Sequence, residues 1–186
     1  MNHILVYGGT FDPPHLAHIE LAREAMIHLG CSKVIFVIAA KSPFKEITKQ
    51  SASNHRLAML ELALAKSSWA VISTIELDRG GTSYTIDTLN SLQKQFGDET
   101  KLYLLIGSDQ AESFSDWYRE KDIEKLATVI VLARDGSAND RFETLPFPTI
   151  QLSASQIRNC VREGVSIDDV VCPEVAAYID ENNLYK

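Results

Sequence analysis

The fold is indicated first by residues Gly8–His18, which read GGTFDPPHLAH. This stretch directly follows the apolar run Ile4–Tyr7 and leads into a segment with helical spacing of apolar residues. Glycines at a strand end let the main chain turn tightly and approach a phosphate, and the N-terminus of a following helix offers unpaired N–H groups to an anion. The stretch therefore predicts a strand, a phosphate-binding turn and a helix in succession.

Strand-like and helical segments alternate along the rest of the chain. Further apolar, β-branched runs occur at Val34–Ile38, Val71–Ile75, Leu102–Ile106 and Val129–Leu132. Helical spacing places Leu16, Ile19, Ala22, Met26 and Leu29 on one face, and Leu57, Leu60 and Leu64 on another. This alternation predicts a doubly wound α/β fold, with a mostly parallel sheet covered by helices on both faces and ligands bound beyond the carboxyl ends of the strands.

The breaks between these segments are marked by glycine, proline and polar residues. Gly30, Gly97 and Gly164 are placed to end three helices. Residues Lys41–Asn54 lack apolar periodicity and are predicted to form a mobile loop, and Arg134–Pro148 is predicted to be a second irregular stretch.

Composition limits the class of protein. A chain of 186 residues with 45% hydrophobic content can bury one core, so residues 1–186 are expected to form one domain. A formal net charge of −7 disfavours non-specific nucleic-acid binding, which needs a clustered basic surface. A small phosphorylated substrate needs only a few local cations and is not excluded.

The cysteines and the apolar runs bear on the cellular compartment. Cys31, Cys160 and Cys172 are scattered and odd in number, so neither a disulfide framework nor a zinc site is expected. No run is long enough to cross a bilayer, and no basic leader precedes Ile4–Val6. We therefore expect a cytoplasmic protein.

The two histidines of the first motif are candidate catalytic residues. His15 and His18 are three residues apart, so a helix would place them on one face, where imidazoles could donate hydrogen bonds to phosphoryl oxygens in a transition state. His18 is the stronger candidate. Each piece alone is more often a plain turn, a helix start or a surface histidine. The motif fits neither G-x-x-x-x-G-K-[ST] nor the dinucleotide fingerprint, which weakens the kinase, ATPase and dehydrogenase hypotheses.

GGTFDPPHLAH resembles the signature of the nucleotidyltransferase superfamily that carries an H-x-G-H motif, including the bacterial nicotinate mononucleotide adenylyltransferases. The resemblance implies a Rossmann-like nucleotidyltransferase fold and an ATP site. That site would include Gly8, Gly9, Thr10, Phe11, His15 and His18. It also implies Mg²⁺ carried on the ATP phosphates, held largely by substrate oxygens and water rather than by protein ligands. Ala17 replaces the usual glycine, and its methyl group is expected to narrow the space beside the nucleotide and to tune activity modestly.

A second match lies far along the chain. Residues Leu152–Arg158, LSASQIR, resemble the family segment I-S-S-T-x-x-R. Ser155 and Arg158 have the i, i+3 spacing that shares a helix face, and we expect the helix to begin near Ser155. The resemblance implies that both hold the ATP triphosphate, with Ser153 nearby. A serine N-cap followed by a solvated arginine is the structural alternative.

Two further segments resemble the pyridine mononucleotide enzymes. In RGGTSYTIDTL, residues Arg79–Leu89, the turn formed by Ser83, Tyr84 and Thr85 would contact the pyridine ring and its carboxylate. In IGSD, residues Ile106–Asp109, Gly107 and Asp109 would contact the nucleotide. Trp117 and Tyr118 follow, and the tryptophan would stack on the ring. Trp117 could equally be a core residue.

Three basic residues complete the implied site. Lys45 in SPFK occupies the place of a basic residue in the family loop P-P-H-K and would also serve catalysis, as would Arg158. Arg56 matches an arginine at the head of the next helix, and the resemblance implies that Lys45 and Arg56 bind the phosphate of the acceptor. Arg134 matches an arginine that meets the same phosphate. Phe44 and Asp135 depart from the family pattern, and a carboxylate at Asp135 would repel a phosphate unless it points away.

The resemblance implies transfer of AMP from ATP to nicotinic acid mononucleotide, giving nicotinic acid adenine dinucleotide and pyrophosphate. An adenylyltransferase for nicotinamide mononucleotide or another phosphorylated acceptor is the alternative within the superfamily. A nucleotide-binding protein without turnover is the alternative from another class. Whether the chain is a homo-oligomer stays open. The tail, Cys172–Asp180 with Leu184 and Tyr185, indicates packing, and no chemistry is assigned to it.

Overall fold

The computed structural model describes residues 2–40, 50–133, 139–145 and 152–186. Its strands are β1 (His3–Gly9), β2 (Lys33–Ile38), β3 (Ala70–Ser73), β4 (Lys101–Gly107), β5 (Ala127–Leu132) and β6 (Glu143–Leu145). Its helices are α1 (Leu16–His28), α2 (Ser53–Leu64), α3 (Ile75–Arg79), α4 (Thr85–Phe96), α5 (Ser108–Glu112), α6 (Glu120–Leu126), α7 (Ala154–Arg162) and α8 (Pro173–Glu181). None of the helices in these ranges has the length and apolar character that a bilayer crossing requires.

The described strands form one sheet in the order β3-β2-β1-β4-β5-β6, and every neighbouring pair is parallel. In the central strand, Leu5 lies opposite Val34 of β2 on one side and Tyr103 of β4 on the other. The strand order changes direction between β1 and β4, which creates a crevice beyond their carboxyl ends. The doubly wound sheet is confirmed, and within the described residues it is parallel throughout.

Both faces of the sheet are buried, and the side chains of β1 alternate between them. Ile4 and Val6 belong to a core cluster that includes Leu89 of α4 and Ile123 of α6. Leu5, on the other face, belongs to a cluster with residues of α1 and α2. Because β1, β2, β4 and β5 face an apolar layer on both sides, each of these strands reads as a nearly continuous apolar run.

A third cluster lies away from the sheet and joins α2, α7 and α8. Its buried members include Met59, Ile157, Val175 and Ile179. Since Ile157 and Arg158 are neighbours on α7, the packing of Ile157 here fixes the place of the arginine. The segment Cys172–Asp180, predicted to pack, forms α8 and contributes the buried residues Val175 and Ile179.

Two sequence predictions about elements are wrong. The run Val71–Ile75 was expected to be one strand, but β3 ends at Ser73 and Ile75 begins α3. The stretch Arg134–Pro148 was expected to be irregular, but Glu143–Leu145 pairs in parallel with β5. Three residues are too few for a recognisable strand pattern, and this strand is specified by its neighbour.

The other predicted boundaries agree with the structure where it can be compared. α1, α4 and α7 end just before Gly30, Gly97 and Gly164, all of which have positive φ. The predicted loop reaches into α2, which begins at Ser53. Residues 41–49 of that loop lie outside the described residues, as do 134–138 and 146–151.

Candidate active site

A cavity of about 900 Å³ opens where the strand order reverses. Gly8 and Gly9 at the end of β1 line it, together with Gly107 at the end of β4. The segment entering α7 lines it as well, through Ser153, Ser155 and Arg158. The cavity therefore collects residues from distant parts of the sequence at the edge of the sheet where ligands of such folds bind.

His15 and His18 lie together at the start of α1. His15 is the N-cap residue and has extended backbone, and helix α1 begins at the next residue. The two imidazole rings stack with centroids 3.5 Å apart, and the main-chain N–H of His15 donates to Nδ1 of His18 at 3.2 Å. Both rings line the cavity beside Ala17, which is 4% exposed. The histidines predicted to act on phosphate are thus together in one cavity.

Gly8 and Gly9 of the motif are glycines for different structural reasons. A Cβ added to Gly9 would lie 2.7 Å from the ring of Phe11, so that position has no room for a side chain. A Cβ added to Gly8 would meet no atom within 4 Å. Gly8 therefore leaves open space in the cavity, through which a ligand can approach the main chain. Thr10 lines the same cavity.

Phe11 is 2% exposed and has a φ of +50°, in the left-handed region. Its ring contacts the rings of Tyr7, His18 and Phe36, with centroid distances between 5.3 and 5.8 Å. Although Phe11 lines the cavity, its side chain is part of the core. Its predicted contact with ATP would therefore rest on the main chain.

The turn after β4 is held by its own side chains. Gly107 donates its main-chain N–H to Oε1 of Gln110 at 3.1 Å. A Cβ at Gly107 would lie 2.7 Å from Oδ1 of Asp109, so a side chain there would require the Asp109 carboxylate to move. Gly107 and Asp109 both line the cavity, and their predicted contact with the nucleotide stays a prediction.

Helix α7 begins one residue earlier than the sequence indicated. Ser153 is the N-cap, and its hydroxyl accepts a hydrogen bond from the main-chain N–H of Gln156 at 3.2 Å. Ser155 lies inside the first turn, where its hydroxyl accepts from Nη2 of Arg158 at 3.0 Å. Nη1 of Arg158 donates to the main-chain oxygen of Asp12 at 2.7 Å. The helix cap and the hydrogen bond to Arg158 are therefore both present, but Ser153 provides the cap and Ser155 binds the arginine.

Aromatic side chains line another part of the cavity. The rings of Tyr84 and Tyr118 lie with centroids 4.7 Å apart. Trp117 stacks on Phe114 with centroids 5.0 Å apart and planes 30° apart, so one face of its indole is already covered by a core residue. Thr85, the first residue of α4, also lines the cavity. A flat heterocycle would meet these rings there.

Arg56 occupies a different environment from the one expected of a phosphate ligand. It is 3% exposed and donates to three main-chain oxygens, those of Ser51, Thr10 and Ala39, at 2.8 to 3.2 Å. Burial lowers the pKa of its guanidinium, and the charge of Asp12 opposes that shift. The contacts give Arg56 a structural function beneath the motif turn, and its predicted contact with the acceptor phosphate stays a prediction.

Lys45 and Arg134, together with the departures Phe44 and Asp135, lie outside the described residues. Their predicted functions therefore stay predictions.

Ser83 and Glu76 are among the cavity residues that were not assigned functions of their own from the sequence. Ser83 is 7% exposed, and within the described ranges its hydroxyl has no hydrogen-bond partner, although the residue lines the cavity. Glu76 lines the cavity too and accepts a hydrogen bond from the hydroxyl of Thr88 at 2.9 Å. Ser83 lies in the quoted segment RGGTSYTIDTL, whereas Glu76 gave no signal because a single glutamate in a polar stretch is usually solvated.

The described part of the chain contains no group of three or more His, Cys, Asp or Glu side chains that could hold a metal ion.

Comparison with known proteins gives consistent matches. The model of the Cytidylyltransferase-like family matches residues 6–160. A protein of Herpetosiphon aurantiacus named "Probable nicotinate-nucleotide adenylyltransferase" is 35% identical over 198 residues, covering 100% of this chain and 99% of that protein. A protein of the same name from Geobacillus thermodenitrificans is 37% identical over 192 residues, covering 100% and 87%.

A solved structure has the same fold. Plasmodium falciparum nicotinic acid mononucleotide adenylyltransferase complexed with NaAD superposes on this chain with a TM-score of 0.81, at 22% identity, covering 100% of this chain and 98% of that chain. A second structure of that protein, complexed with APC, gives a TM-score of 0.79 at 20% identity and covers the same shares of both chains.

Proposed function

The chain belongs to the cytidylyltransferase-like family and, within it, to the nicotinate-nucleotide adenylyltransferases, and from this premise we propose that it transfers AMP from ATP to nicotinic acid mononucleotide. The products are nicotinic acid adenine dinucleotide and pyrophosphate. In this proposal residues 1–186 act as one nucleotidyltransferase domain, in the cytoplasm.

One observation carries the proposal: His18 and Arg158 line the same cavity, although they come from opposite parts of the chain. The imidazole lies at the N-terminal end of α1, and the guanidinium reaches the turn just before that helix by donating to Asp12. Cationic and N–H donors thus converge on one volume, which is what binding of a triphosphate requires. A cavity of about 900 Å³ is large enough for two nucleotides side by side.

The chemistry needs no covalent enzyme intermediate. An oxygen of the acceptor phosphate attacks the α-phosphorus of ATP, and the bond from that phosphorus to the oxygen bridging to the β-phosphate breaks. The electron pair leaves with pyrophosphate. The protein aligns the two substrates and stabilises the charge that builds up, with His18 and Arg158 as the donors nearest the phosphates. Mg²⁺ enters as part of the substrate Mg·ATP, bound by phosphate oxygens and water.

The acceptor would lie against the aromatic side of the cavity. Tyr84, Tyr118 and the uncovered face of Trp117 provide surfaces for a pyridine ring. The buried hydroxyl of Ser83 and the start of α4 at Thr85 lie in the same region. Groups that donate hydrogen bonds favour the carboxylate of nicotinic acid over an uncharged amide.

An acceptor comparison tests this function. The protein is mixed with Mg·ATP and with nicotinic acid mononucleotide, nicotinamide mononucleotide or phosphopantetheine, and pyrophosphate and the adenylylated product are both measured. A reaction without acceptor controls for ATP hydrolysis. We expect kcat/KM for the acid to exceed that for the amide about tenfold or more, because one donor left unpaired costs about 1 to 3 kcal/mol. Equal values would contradict the choice of acceptor, and no product with any acceptor would contradict the enzyme assignment.

A further inference from the structure

Asp12, in the middle of the first motif, connects three segments that are far apart in sequence. It is 3% exposed. One carboxylate oxygen accepts a hydrogen bond from the hydroxyl of Tyr185 at 2.6 Å, and the other accepts from the main-chain N–H of Ser51 at 3.0 Å. Its main-chain oxygen accepts from Nη1 of Arg158 at 2.7 Å. Tyr185, which follows α8, therefore contacts Asp12, and Asp12 in turn contacts Arg158, which lines the cavity.

The conformation of the tail around Tyr185 is unusual. Tyr185 has a φ of +66° and Asn183 a φ of +50°, both in the left-handed region that side chains other than glycine rarely adopt. Such conformations carry an energetic cost and persist when surrounding contacts require them. Burial, followed by the hydrogen bond to Asp12, raises the pKa of the Tyr185 phenol well above its ordinary value. The phenol therefore stays protonated at neutral pH and donates to the carboxylate.

The hydroxyl and the ring of Tyr185 serve separate purposes. The ring packs against the third core cluster, whose members include Met59 and Val175. The hydroxyl leaves that cluster to reach Asp12 and the side chain of Ser51, and its contact with Sδ of Met59 at 3.9 Å is weak. Packing alone would not require an O–H at this position.

We propose that Tyr185 is a positioning residue for ATP, which holds the carboxylate of Asp12 so that the main chain of the motif presents one fixed carbonyl to Arg158. The inference rests on the proposed function, because it assigns Arg158 to the triphosphate. Without the phenol hydroxyl, the Asp12 carboxylate still accepts a hydrogen bond from the main chain of Ser51 and still lies near the charge of Arg56. It loses its shortest hydrogen bond. The motif turn then has more freedom, and Arg158 loses a fixed anchor.

The test is Tyr185→Phe, which keeps the ring and removes the hydroxyl. Tyr178→Phe is the matched control, since the hydroxyl of Tyr178 also joins the tail to α2, through Nδ1 of His55 at 3.0 Å, without touching Asp12. We expect Tyr185→Phe to raise KM for ATP about tenfold, while KM for the acceptor changes less than twofold and kcat less than threefold. The expected rise in KM for ATP corresponds to the loss of one charge-assisted hydrogen bond, whose effect reaches the bound phosphate through Arg158. Tyr178→Phe should leave all three constants as in the unmodified protein.

A double-mutant cycle with Asp12→Asn checks the route. If Tyr185 acts through Asp12, the effects of Tyr185→Phe and Asp12→Asn on KM for ATP will be non-additive, because both changes weaken the same charge-assisted hydrogen bond: the neutral amide has one accepting oxygen for the two donors, Tyr185 and Ser51. Additive effects would overturn the proposal. So would an unchanged KM for ATP in Tyr185→Phe, or an equal rise in Tyr178→Phe, which would indicate general loosening of the tail.

Equilibrium binding separates this inference from the proposed function. The dissociation constant of Mg·ATP, measured by calorimetry without any acceptor, does not depend on turnover. A protein that binds Mg·ATP but makes no product with any acceptor would contradict the proposed reaction. It would still support the inference if Tyr185→Phe binds Mg·ATP about tenfold more weakly and Tyr178→Phe does not.

Discussion

The imidazole of His18 is held by its neighbour His15, through the stacked rings and through the main-chain N–H of His15, which donates to Nδ1 of His18 at 3.2 Å. A nitrogen that accepts a hydrogen bond carries no proton, so this contact places the proton of a neutral His18 on Nε2. The contact thus gives the Nε2–H of His18 a fixed orientation as a hydrogen-bond donor.

We predict that His18→Ala lowers kcat about 10²- to 10³-fold, the loss typical of one transition-state donor, while the Kd of Mg·ATP changes much less. His18→Gln should recover part of the rate, because its amide NH₂ can reach the place of Nε2–H. Steady-state kinetics and calorimetry measure the two quantities. Turnover unchanged in His18→Ala would show that the imidazole has no part in the chemical step.

The two glycines of the motif should respond differently to alanine. Gly9→Ala places a Cβ 2.7 Å from the ring of Phe11, in the core, so we expect a loss of about 1 to 3 kcal/mol in the free energy of unfolding. Gly8→Ala meets no atom within 4 Å, so stability should change by less than about 0.5 kcal/mol.

Gly8→Ala should instead weaken the binding of Mg·ATP, because the added methyl group enters the space beside the main chain. Urea unfolding and calorimetry on the same two variants compare stability with affinity. Wild-type affinity in Gly8→Ala would mean that nucleotide phosphates do not approach that turn.

Ser153 and Ser155 form a second matched pair. Ser153→Ala removes the N-cap of α7 and should lower the free energy of unfolding by about 1 kcal/mol. Ser155→Ala removes the hydroxyl that accepts from Arg158, and should raise KM for ATP with little change in stability. Thermal unfolding and kinetics separate the two effects, and a pattern opposite to this one would reverse the functions assigned to the serines.

Cys31 should make stability depend on alkaline pH. Burial raises the pKa of its thiol from 9.0 to about 11 in the folded protein. Between these values the unfolded chain releases the proton while the folded chain keeps it, so the folded state loses stability as pH rises. The advantage in Tm of the unmodified protein over Cys31→Ala should therefore shrink from pH 8.5 to pH 10.5, as followed by calorimetry. A difference that stays constant over this range would contradict the shift.

The sequence was most informative where the place of a residue in the fold restricts which residue types can occur there. Strands buried on both faces must be apolar throughout, so β1, β2, β4 and β5 could be located closely. The turn after β1 could be located because its glycines and histidines form a combination that few other functions would favour. His15, His18, Ser155 and Arg158 accordingly lie around one cavity.

The sequence was less informative where tertiary contacts decide. Whether an arginine binds phosphate or main-chain oxygens depends on which segments surround it, and the burial of Arg56 among three carbonyls leaves no trace in local spacing. Which serine caps the helix depends on where the extended backbone turns into helix, so the sequence alone could not decide whether Ser153 or Ser155 is the N-cap of α7. The pairing of Tyr185 with Asp12 joins the two ends of the chain, which no local pattern encodes.

The strand order has a consequence for the newly made chain. β1 lies between β2 and β4, and its second edge is completed only when Lys101–Gly107 has been synthesised. α7, which supplies Arg158, follows later still. Pairing between distant segments is slow, because the connecting chain must be ordered before the contacts form. We therefore expect the nascent chain to bind ATP only late in its synthesis, after α7 has been made and has packed in place.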